Sequence, residues 1–493
     1  MNYRDKYNHA FGKNDIRGIY GEDITEELFY NIGRGYVNYL KKQTAKDENS
    51  MYITVCMDAR THSPSLSKAL RAGITSTGAH VINLGLAPTP IGYYSEVVGV
   101  PADLTNGNKV IAACIITASH NPKEYNGLKM TFNHQTLSES QIKEVKEITL
   151  ENWSSDSKTI DEKLVQDYDI IPSYIDDMVS RFGKIGEGVK VVVDSANATG
   201  GIVGPKLYRE LGCDVVELFS EPDGNFPNHH PNPSVEKTLD TLKATVIKEH
   251  ADVGIAYDGD SDRIGVVDNC GKFLTGDKLL LIYAEELIKK CKDTGVCPTV
   301  VSEVKCSQVL FDTIDKIGGN AVMCKTGHGY IKAKMRETGA ILAGEMSGHT
   351  FFKDRYFGFD DAIYAGCRII EIISENKKVN PKFTINDLLK PFNEVVSSPE
   401  LRYPCPNDLK KSTLEAVKNK IESDKNIFGS EIKDIITLDG MRIVFDGGFA
   451  LIRQSNTEPV FTLRFEAKTK EECDRFQKAM TGMLDDILKV EAV

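Results

Sequence analysis

Short, β-branched apolar runs alternate with segments of helical period along most of this 493-residue chain. The runs Met51–Met57, Val81–Leu84, Lys109–Thr117, Val189–Asp194, Asp214–Leu218, Val253–Tyr257, Thr299–Glu303 and Ala321–Lys325 are short and apolar, and they predict buried strands. Between them, Ser65–Thr77, Gly204–Gly212, Asp277–Lys290, Ser307–Ile317 and Asp360–Asn376 repeat apolar residues at i, i+3 and i+4, the spacing that lines one face of a helix. A strand that is apolar on both faces must be covered on both, and intervening helices supply the cover. The alternation therefore predicts α/β layers built on parallel or mixed sheets.

After about Lys390 the rhythm changes. Strands predicted at Arg442–Asp446 and Phe449–Arg453 flank Gly447–Gly448, a glycine pair suited to the positive φ of a tight hairpin turn. A third strand, Val460–Ala467, precedes a long amphipathic helix, Lys470–Val490, so this end reads as a separate α+β domain. At roughly 100–200 residues per domain the length allows three or four. The polar stretch Glu151–Lys158, with Trp153 as its one large apolar residue, and the glycines Gly271 and Gly276 mark earlier junctions. The domains expected are 1–170, 171–275, 276–390 and 391–493.

Net charge is −11 and no window concentrates Lys and Arg, which argues against a nucleic-acid partner. An acidic protein that handles an anionic substrate must gather positive charge locally. The 11 cysteines are scattered, with no C-x-x-C pair, and several fall in strand-like apolar runs; this composition predicts a reducing, cytoplasmic setting. The opening MNYRDKYNHAFGKNDIRG lacks the basic-then-apolar order of a signal peptide. Apolar runs such as Val110–Ile116 are far shorter than the roughly 20 residues that span a bilayer, so no membrane partner is expected.

Four segments carry chemistry. In TASHNP, Thr117 to Pro122, Ser119 sits in a loop at the carboxyl end of a predicted strand, where open α/β sheets place ligands; on its own it also reads as a capped loop punctuated by Asn-Pro. Asn126-Gly127 predicts a further turn before Lys129. In DGDSDR, Asp258 to Arg263, three carboxylates alternate in a tight turn, and their mutual repulsion calls for a cation, the hard oxygens favouring magnesium or calcium over zinc. An EF-hand is excluded, because Arg263 stands where its Gly is required and Asn269 where its Glu is required.

KTGHGYIK, Lys325 to Lys332, and GEMSGH, Gly344 to His349, each open where a strand ends. Glu345, Ser347 and His349 alternate, so in an extended loop they face one way and offer an acceptor, a hydroxyl and an imidazole to a polyol. RQSNTEP, Arg453 to Pro459, sets a bidentate guanidinium beside Ser455, Asn456 and Thr457, a donor set for an anion. Each of these also reads alone as a polar turn. Together they describe an active site. Arg17, in Asp15-Ile16-Arg17-Gly18, adds a cation near the N-terminus.

In this order TASHNP, DGDSDR, GEMSGH and R-x-S-N-T-E-P resemble the α-D-phosphohexomutase superfamily, and GEMSGH resembles its phosphomannomutase/phosphoglucomutase branch. The resemblance covers essentially the whole chain. It implies three similar mixed-sheet α/β domains plus a smaller C-terminal α+β domain around a central cleft. It implies an isomerase that interconverts hexose 1-phosphate and hexose 6-phosphate, of mannose or glucose, through a phosphoserine and a hexose 1,6-bisphosphate. Ser119 then carries the phosphoryl group, and Asp258, Asp260 and Asp262 hold one Mg2+ together with a Ser119 phosphate oxygen. Lys129 and Arg17 flank the transferring group, and His349 is a further acid/base candidate. Arg263, Lys305, His328, Glu345, Ser347 and His349 contact the sugar phosphate, and Arg453, Ser455, Asn456 and Thr457 hold the phosphate that is not reacting. The partner implied is a small sugar phosphate, and the state a monomer or small homo-oligomer.

Two departures from the family pattern stand out. Gly12 and Asn14 occupy positions that usually hold a basic residue and a Tyr, and Cys56-Met57-Asp58-Ala59-Arg60 keeps Asp and Arg of a G-x-D-x-R turn without its Gly. A phosphoglucosamine mutase, a metal-dependent sugar phosphatase and a non-catalytic sugar-phosphate sensor are the alternatives. Met346 and Thr117 disfavour the first of these.

Overall fold

In the computed structural model all residues are described except 1–2, 157–158, 292–294, 296, 456–457 and 492–493. The chain groups into two compact units, residues 1–274 with 347–384, and residues 275–346 with 385–493.

The first unit contains two sheets of one plan. The first runs in the order Ile16–Ile19, Tyr125–Phe132, Val110–Ile116, Tyr52–Met57, His80–Leu86 and Val165–Asp167. Tyr125–Phe132 is antiparallel to both its neighbours, and the remaining pairs are parallel. Alternation of side chains sorts the two faces. Ile53, Val55, Ala112, Cys114 and Ile116 enter a core with Leu28, Tyr36, Leu66 and Leu70 from the helices Glu26–Thr44 and Ser63–Thr75. On the other face, Thr54 hydrogen-bonds Ser95 of the helix Thr89–Val97, and Cys56 and Ile115 pack where Gly92 of that helix has no side chain. Burying each Val or Ile stabilises the layer by about 1.5–3 kcal/mol.

The second sheet runs Phe273–Leu274, Ile264–Asp268, Val253–Tyr257, Lys190–Asp194 and Asp214–Leu218, with the first two pairs antiparallel and the others parallel. In both sheets a buried parallel strand enters a loop and the chain returns as the antiparallel neighbour. Thr117–Pro122 and Asp258–Arg263 thus occupy equivalent places. Residues 347–384 pack with this unit: Gly366 of the helix Ala362–Val379 lies against Tyr208 and Ile255, and Tyr174 donates to Asp361, the residue that caps that helix.

In the second unit Thr299–Glu303 runs parallel to Asn320–Cys324 and Leu342–Gly344, with helices Gly276–Cys291, Gln308–Lys316 and His328–Thr338. The C-terminal domain is an antiparallel sheet, in the order Val396–Ser397, Val460–Ala467, Gly448–Gln454, Met441–Phe445 and Asp434–Ile436. Ile443, Phe445 and Phe465 share its core with Met480 and Leu484 of the helix Lys470–Glu491. The fold is three α/β domains followed by a smaller α+β one. No helix among the described residues is long and apolar enough to cross a membrane.

Three local expectations are corrected. Asn126-Gly127 is not a turn; both lie inside the strand Tyr125–Phe132. Gly127 serves close packing, since a Cβ there would come 2.2 Å from the Ile16 carbonyl oxygen of the paired strand. The C-terminal hairpin turns on Asp446-Gly447, with Phe445 paired to Gly448. Gly447 has φ 77°, whereas Gly448 is a strand residue whose Cβ would strike Glu466 O at 2.0 Å. Lys325 to Lys332 is only partly a loop, because the helix His328–Thr338 begins within it.

Candidate active site

Ser119 follows the strand Val110–Ile116 in a left-handed conformation, φ 48°, and Ser261 adopts the same region, φ 61°, at the equivalent place after Val253–Tyr257. Non-glycine residues hold this region at a cost of about 1–2 kcal/mol, so the surroundings must impose it. They do. Ser119 N–H donates to Thr117 Oγ1 at 2.9 Å, and the Ser119 carbonyl accepts from Arg60 Nη2 at 2.8 Å. Arg60 is fully buried; it also donates to Asn121 O at 2.7 Å, Pro122 O at 2.6 Å and Tyr125 O at 3.1 Å, while Asp58 accepts from its Nε at 3.0 Å. One planar guanidinium therefore shapes the whole loop.

The two loops touch. Ser119 Oγ donates to Asp258 Oδ2 at 2.6 Å. The approach needs Gly259, where a Cβ would stand 2.3 Å from Ser119 O. Asp258, Asp260 and Asp262 are all buried, and their ligand oxygens lie within 4.8 Å of one another. Lys129, from the middle of the strand Tyr125–Phe132, donates to Asp260 Oδ2 at 2.7 Å and to Asp262 Oδ2. Thr89, at the start of its helix, donates its hydroxyl to Asp260 Oδ2 at 2.6 Å. Asp260 Oδ1 and Asp262 Oδ1 are buried with no protein hydrogen-bond partner. Buried carboxylate oxygens left in this way, with a hard donor set, fit a divalent cation such as magnesium.

The electrostatics agree. Burial, and after it the carboxylates of Asp262 and Asp260, push Asp258 well above the usual carboxylate range. Asp262, against the upward push of burial, is held below that range by Lys129 and His349. Burial opposes the charge on Lys129, yet Asp260 and Asp262 raise it well above its ordinary value, so it stays protonated. Arg17 hydrogen-bonds Asp15 and donates to Asn121 Oδ1 at 3.1 Å. His120 Nδ1 lies 3.2 Å from Ser119 Oγ, and burial, then Arg263 and Arg17, push this imidazole well below its usual value, so it is neutral.

His349 Nε2 accepts from Arg263 Nε at 3.0 Å, and its Nδ1 lies 3.1 Å from Asp360 Oδ2. An accepting Nε2 places the ring proton on Nδ1, facing the carboxylate. Arg263 N–H donates to Asp258 Oδ1 at 3.2 Å, which ties this group to the carboxylate turn. Ser119, the three aspartates, Lys129, Arg17, Arg263 and His349 are thus gathered in one unit.

The other predicted residues, apart from Ser347, lie in the second unit. Lys305 is buried, 3.0 Å from Glu400 Oε2 and 3.6 Å from Glu303 Oε1. Its backbone is gripped by the C-terminal sheet: Arg464 donates to Lys305 O, and Arg442 to Val304 O and Cys306 O. Glu345 Oε1 accepts from Gly327 N at 2.7 Å, beside His328 at the helix start. Arg453 Nε donates to Asp439 Oδ2 at 3.1 Å. Ser455 Oγ accepts from Glu458 N at 3.1 Å, and Lys410 Nζ holds Ser455 O at 2.8 Å. Asn456 and Thr457 lie outside the described residues.

Glu345, Ser347 and His349 do not share an extended loop. The chain turns at Met346-Ser347 and Gly348 takes φ 94°, so Glu345 engages Gly327 while His349 engages Arg263. Strict alternation holds only for extended backbone, and Gly348, whose Cβ would meet Ile264 O at 2.3 Å, breaks it. Sequence reasoning also missed the work of Arg60, Thr89, His120, Asp360, Lys410 and Asp439. His120 stands inside TASHNP and Arg60 inside the Asp58-Ala59-Arg60 turn noted in the sequence; the others give no local signal, because each acts on a separate segment.

Comparison with known proteins gives the family. Four family models match in order: phosphoglucomutase/phosphomannomutase alpha/beta/alpha domain I at residues 8–155, domain II at 172–271, domain III at 275–392, and the C-terminal domain at 400–483. A phosphomannomutase/phosphoglucomutase of Pseudomonas aeruginosa is 37% identical over 470 residues, covering 95% of this chain and 94% of its own. A phosphoglucomutase of Neisseria gonorrhoeae is 37% identical over 473 residues, 96% of this chain and 95% of its own. The crystal structure of a phosphoglucomutase/phosphomannomutase family protein from Burkholderia thailandensis superposes with a TM-score of 0.83 at 34% identity, covering 97% of both chains.

Proposed function

The chain belongs to the phosphoglucomutase/phosphomannomutase family and is a hexose-phosphate mutase, and from this premise we propose that Ser119 is the phosphoryl carrier on which it interconverts the 1- and 6-phosphates of glucose or mannose. The observation that carries the reading is the 2.6 Å hydrogen bond from Ser119 Oγ to Asp258 Oδ2, in a turn whose Asp260 and Asp262 accept from protonated Lys129. The eleven cysteines are all free, which supports a reducing, cytoplasmic setting.

Phosphoryl transfer asks for positioning and charge neutralisation more than for covalent chemistry. The enzyme begins as phosphoserine. The free hydroxyl of a hexose monophosphate attacks phosphorus, the bond to Ser119 Oγ breaks, and a hexose 1,6-bisphosphate forms. The hydroxyl proton is accepted at His349 Nε2, the lone pair that now receives Arg263. Ser119 Oγ, the leaving group, takes a proton from protonated Lys129, which stands on the same carboxylate turn, and then faces Asp258 as observed. In the second half-reaction the other phosphate returns to Ser119 and both proton transfers run backwards. Lys129, Arg17 and Arg263 offset charge on the transferring group. Asp258, Asp260 and Asp262 would hold magnesium together with a phosphoserine oxygen, and the cation would supply charge neutralisation to the transferring phosphoryl group. Arg453 and Ser455 grip the phosphate that is not reacting, and Lys305, His328, Glu345 and Ser347 contact the sugar phosphate.

The test is intact mass with peptide mapping of the purified protein. The reading expects phosphate confined to Ser119, lost on adding hexose 6-phosphate as bisphosphate appears, and no turnover by Ser119→Ala. Release of free phosphate instead means a phosphatase. No phosphorylation and no turnover means a sensor. Rates on glucose, mannose and glucosamine 1-phosphates then rank the sugars.

A further inference from the structure

We propose that Asp439 is a positioning residue that aims Arg453 at the substrate phosphate and ties it to the KTGHG segment, so that the phosphate-holding and sugar-contacting groups of the second unit are set together. This rests on the reading of Arg453 as a phosphate ligand. Three observations carry it.

First, Asp439 engages Arg453 through Nε, at 3.1 Å from Oδ2. A carboxylate on Nε fixes the plane of the guanidinium and leaves the terminal Nη pair as the fork that fits a phosphate edge. Arg453 is buried, so an unguided rotamer search there would be costly in orientation and in desolvation.

Second, the approach is built in. Gly440 has φ 78°, and a Cβ on it would meet Ile452 O at 2.2 Å and Arg453 Cα at 2.7 Å. Only glycine lets the Asp439 turn lie directly on the backbone of Arg453.

Third, the same Asp439 Oδ2 accepts the Thr326 N–H at 3.0 Å. The next amide, Gly327 N–H, donates to Glu345 Oε1 at 2.7 Å. Two successive amides of KTGHG are therefore held by two carboxylates, one from the C-terminal domain and one from the sugar-contacting motif, immediately before the helix that begins at His328. Asp439 is the shared atom group between the two sets.

The experiment compares Asp439→Ala and Asp439→Asn with the wild-type enzyme by steady-state kinetics on hexose 1-phosphate, thermal melting, and the melting shift produced by inorganic phosphate. Asn keeps an acceptor for Thr326 but no charge for Arg453. The expected result is a KM raised about tenfold in Asp439→Ala and about threefold in Asp439→Asn, with kcat changed less than about twofold and the phosphate-induced shift reduced in the same order. If Asp439→Ala does not fold, the KM of Asp439→Asn decides. A merely structural aspartate would lower activity only in step with the folded fraction, and an unchanged KM in folded variants overturns the proposal. If the wild-type protein shows no mutase turnover, the functional reading itself has failed; the inorganic-phosphate shift then still decides Asp439, an equal shift in wild type and variants overturning it.

Discussion

The hydroxyl of Ser119 lies 2.6 Å from Asp258 Oδ2, although 139 residues separate them in the chain. Each residue ends a buried parallel strand in its own sheet. Their meeting joins two ordinary strand-end loops into the proposed reaction centre, and it makes that centre sensitive to small displacements of either loop.

Gly259 is where such a displacement is easiest to impose. A methyl group there would stand 2.3 Å from the Ser119 carbonyl oxygen, closer than any real contact. Gly259→Ala is expected to push the loops apart and lower kcat about 100-fold, since an ångström of misplacement costs about that much. Steady-state assay beside a thermal melt checks it: kcat should collapse while most of the stability remains.

Arg60 offers a second handle on the same loop. Its guanidinium satisfies the carbonyls of Ser119, Asn121, Pro122 and Tyr125 at once. A lysine has three donors and no fork, so Arg60→Lys leaves buried carbonyls without partners, each costing about 1–3 kcal/mol. The expected outcome is a protein less stable by about 2–4 kcal/mol in denaturant melts, with slower phosphorylation of Ser119 measured by intact mass.

Removal of the cation is a third test. Three buried carboxylates share the site, with two oxygens unpartnered by protein. Chelation is expected to abolish turnover reversibly, with magnesium restoring it. Asp260→Asn should raise the magnesium concentration for half-maximal rate by about 100-fold or more, read from a magnesium titration. An unchanged titration would remove Asp260 from the ligand set.

A pH effect on stability is expected from Glu96, which is not among the proposed site residues. It is buried, accepts the His134 N–H at 2.7 Å, and burial lifts its carboxyl from 4.5 to about 7. The folded state therefore binds more protons than the unfolded chain between those values. Stability from this group is greatest below the unfolded value and is lost as pH rises through 7, by an amount on the order of 3 kcal/mol. Glu96→Gln, which keeps the acceptor without the charge, should melt higher than wild type at pH about 8 and no higher at pH about 5. Melting curves at both values decide it.

Much of the fold was legible because its signals are local. The strand Val253–Tyr257 is buried at every position and reads as VGIAY in the sequence. The helix Glu26–Thr44 is equally local in its signal, with Thr25 as its cap, Glu26 and Glu27 in its first turn, and Leu28, Phe29, Ile32, Tyr36, Val37 and Leu40 at helical spacing, although it lies outside the helices expected above. Asn126-Gly127 misled because its signal is ambiguous. Glycine marks a turn when φ is positive, but it also marks a strand approached closely by another, and local sequence does not separate the two.

By itself the sequence determined the alternating strand–helix plan, the separate C-terminal domain, and the candidate serine, three aspartates and RQSNTEP motif, because periodicity and motif spacing are properties of neighbouring residues. Only the tertiary structure decided which of these meet. Lys129 reaches Asp260 and Asp262 because Tyr125–Phe132 returns antiparallel beside the serine strand; Arg60 finds four carbonyls because its turn packs under that loop; Asp439 joins Arg453 to Thr326 because Gly440 lets two backbones touch. Each contact depends on how complete layers pack, and burial and hydrogen-bond satisfaction select it from the whole chain at once.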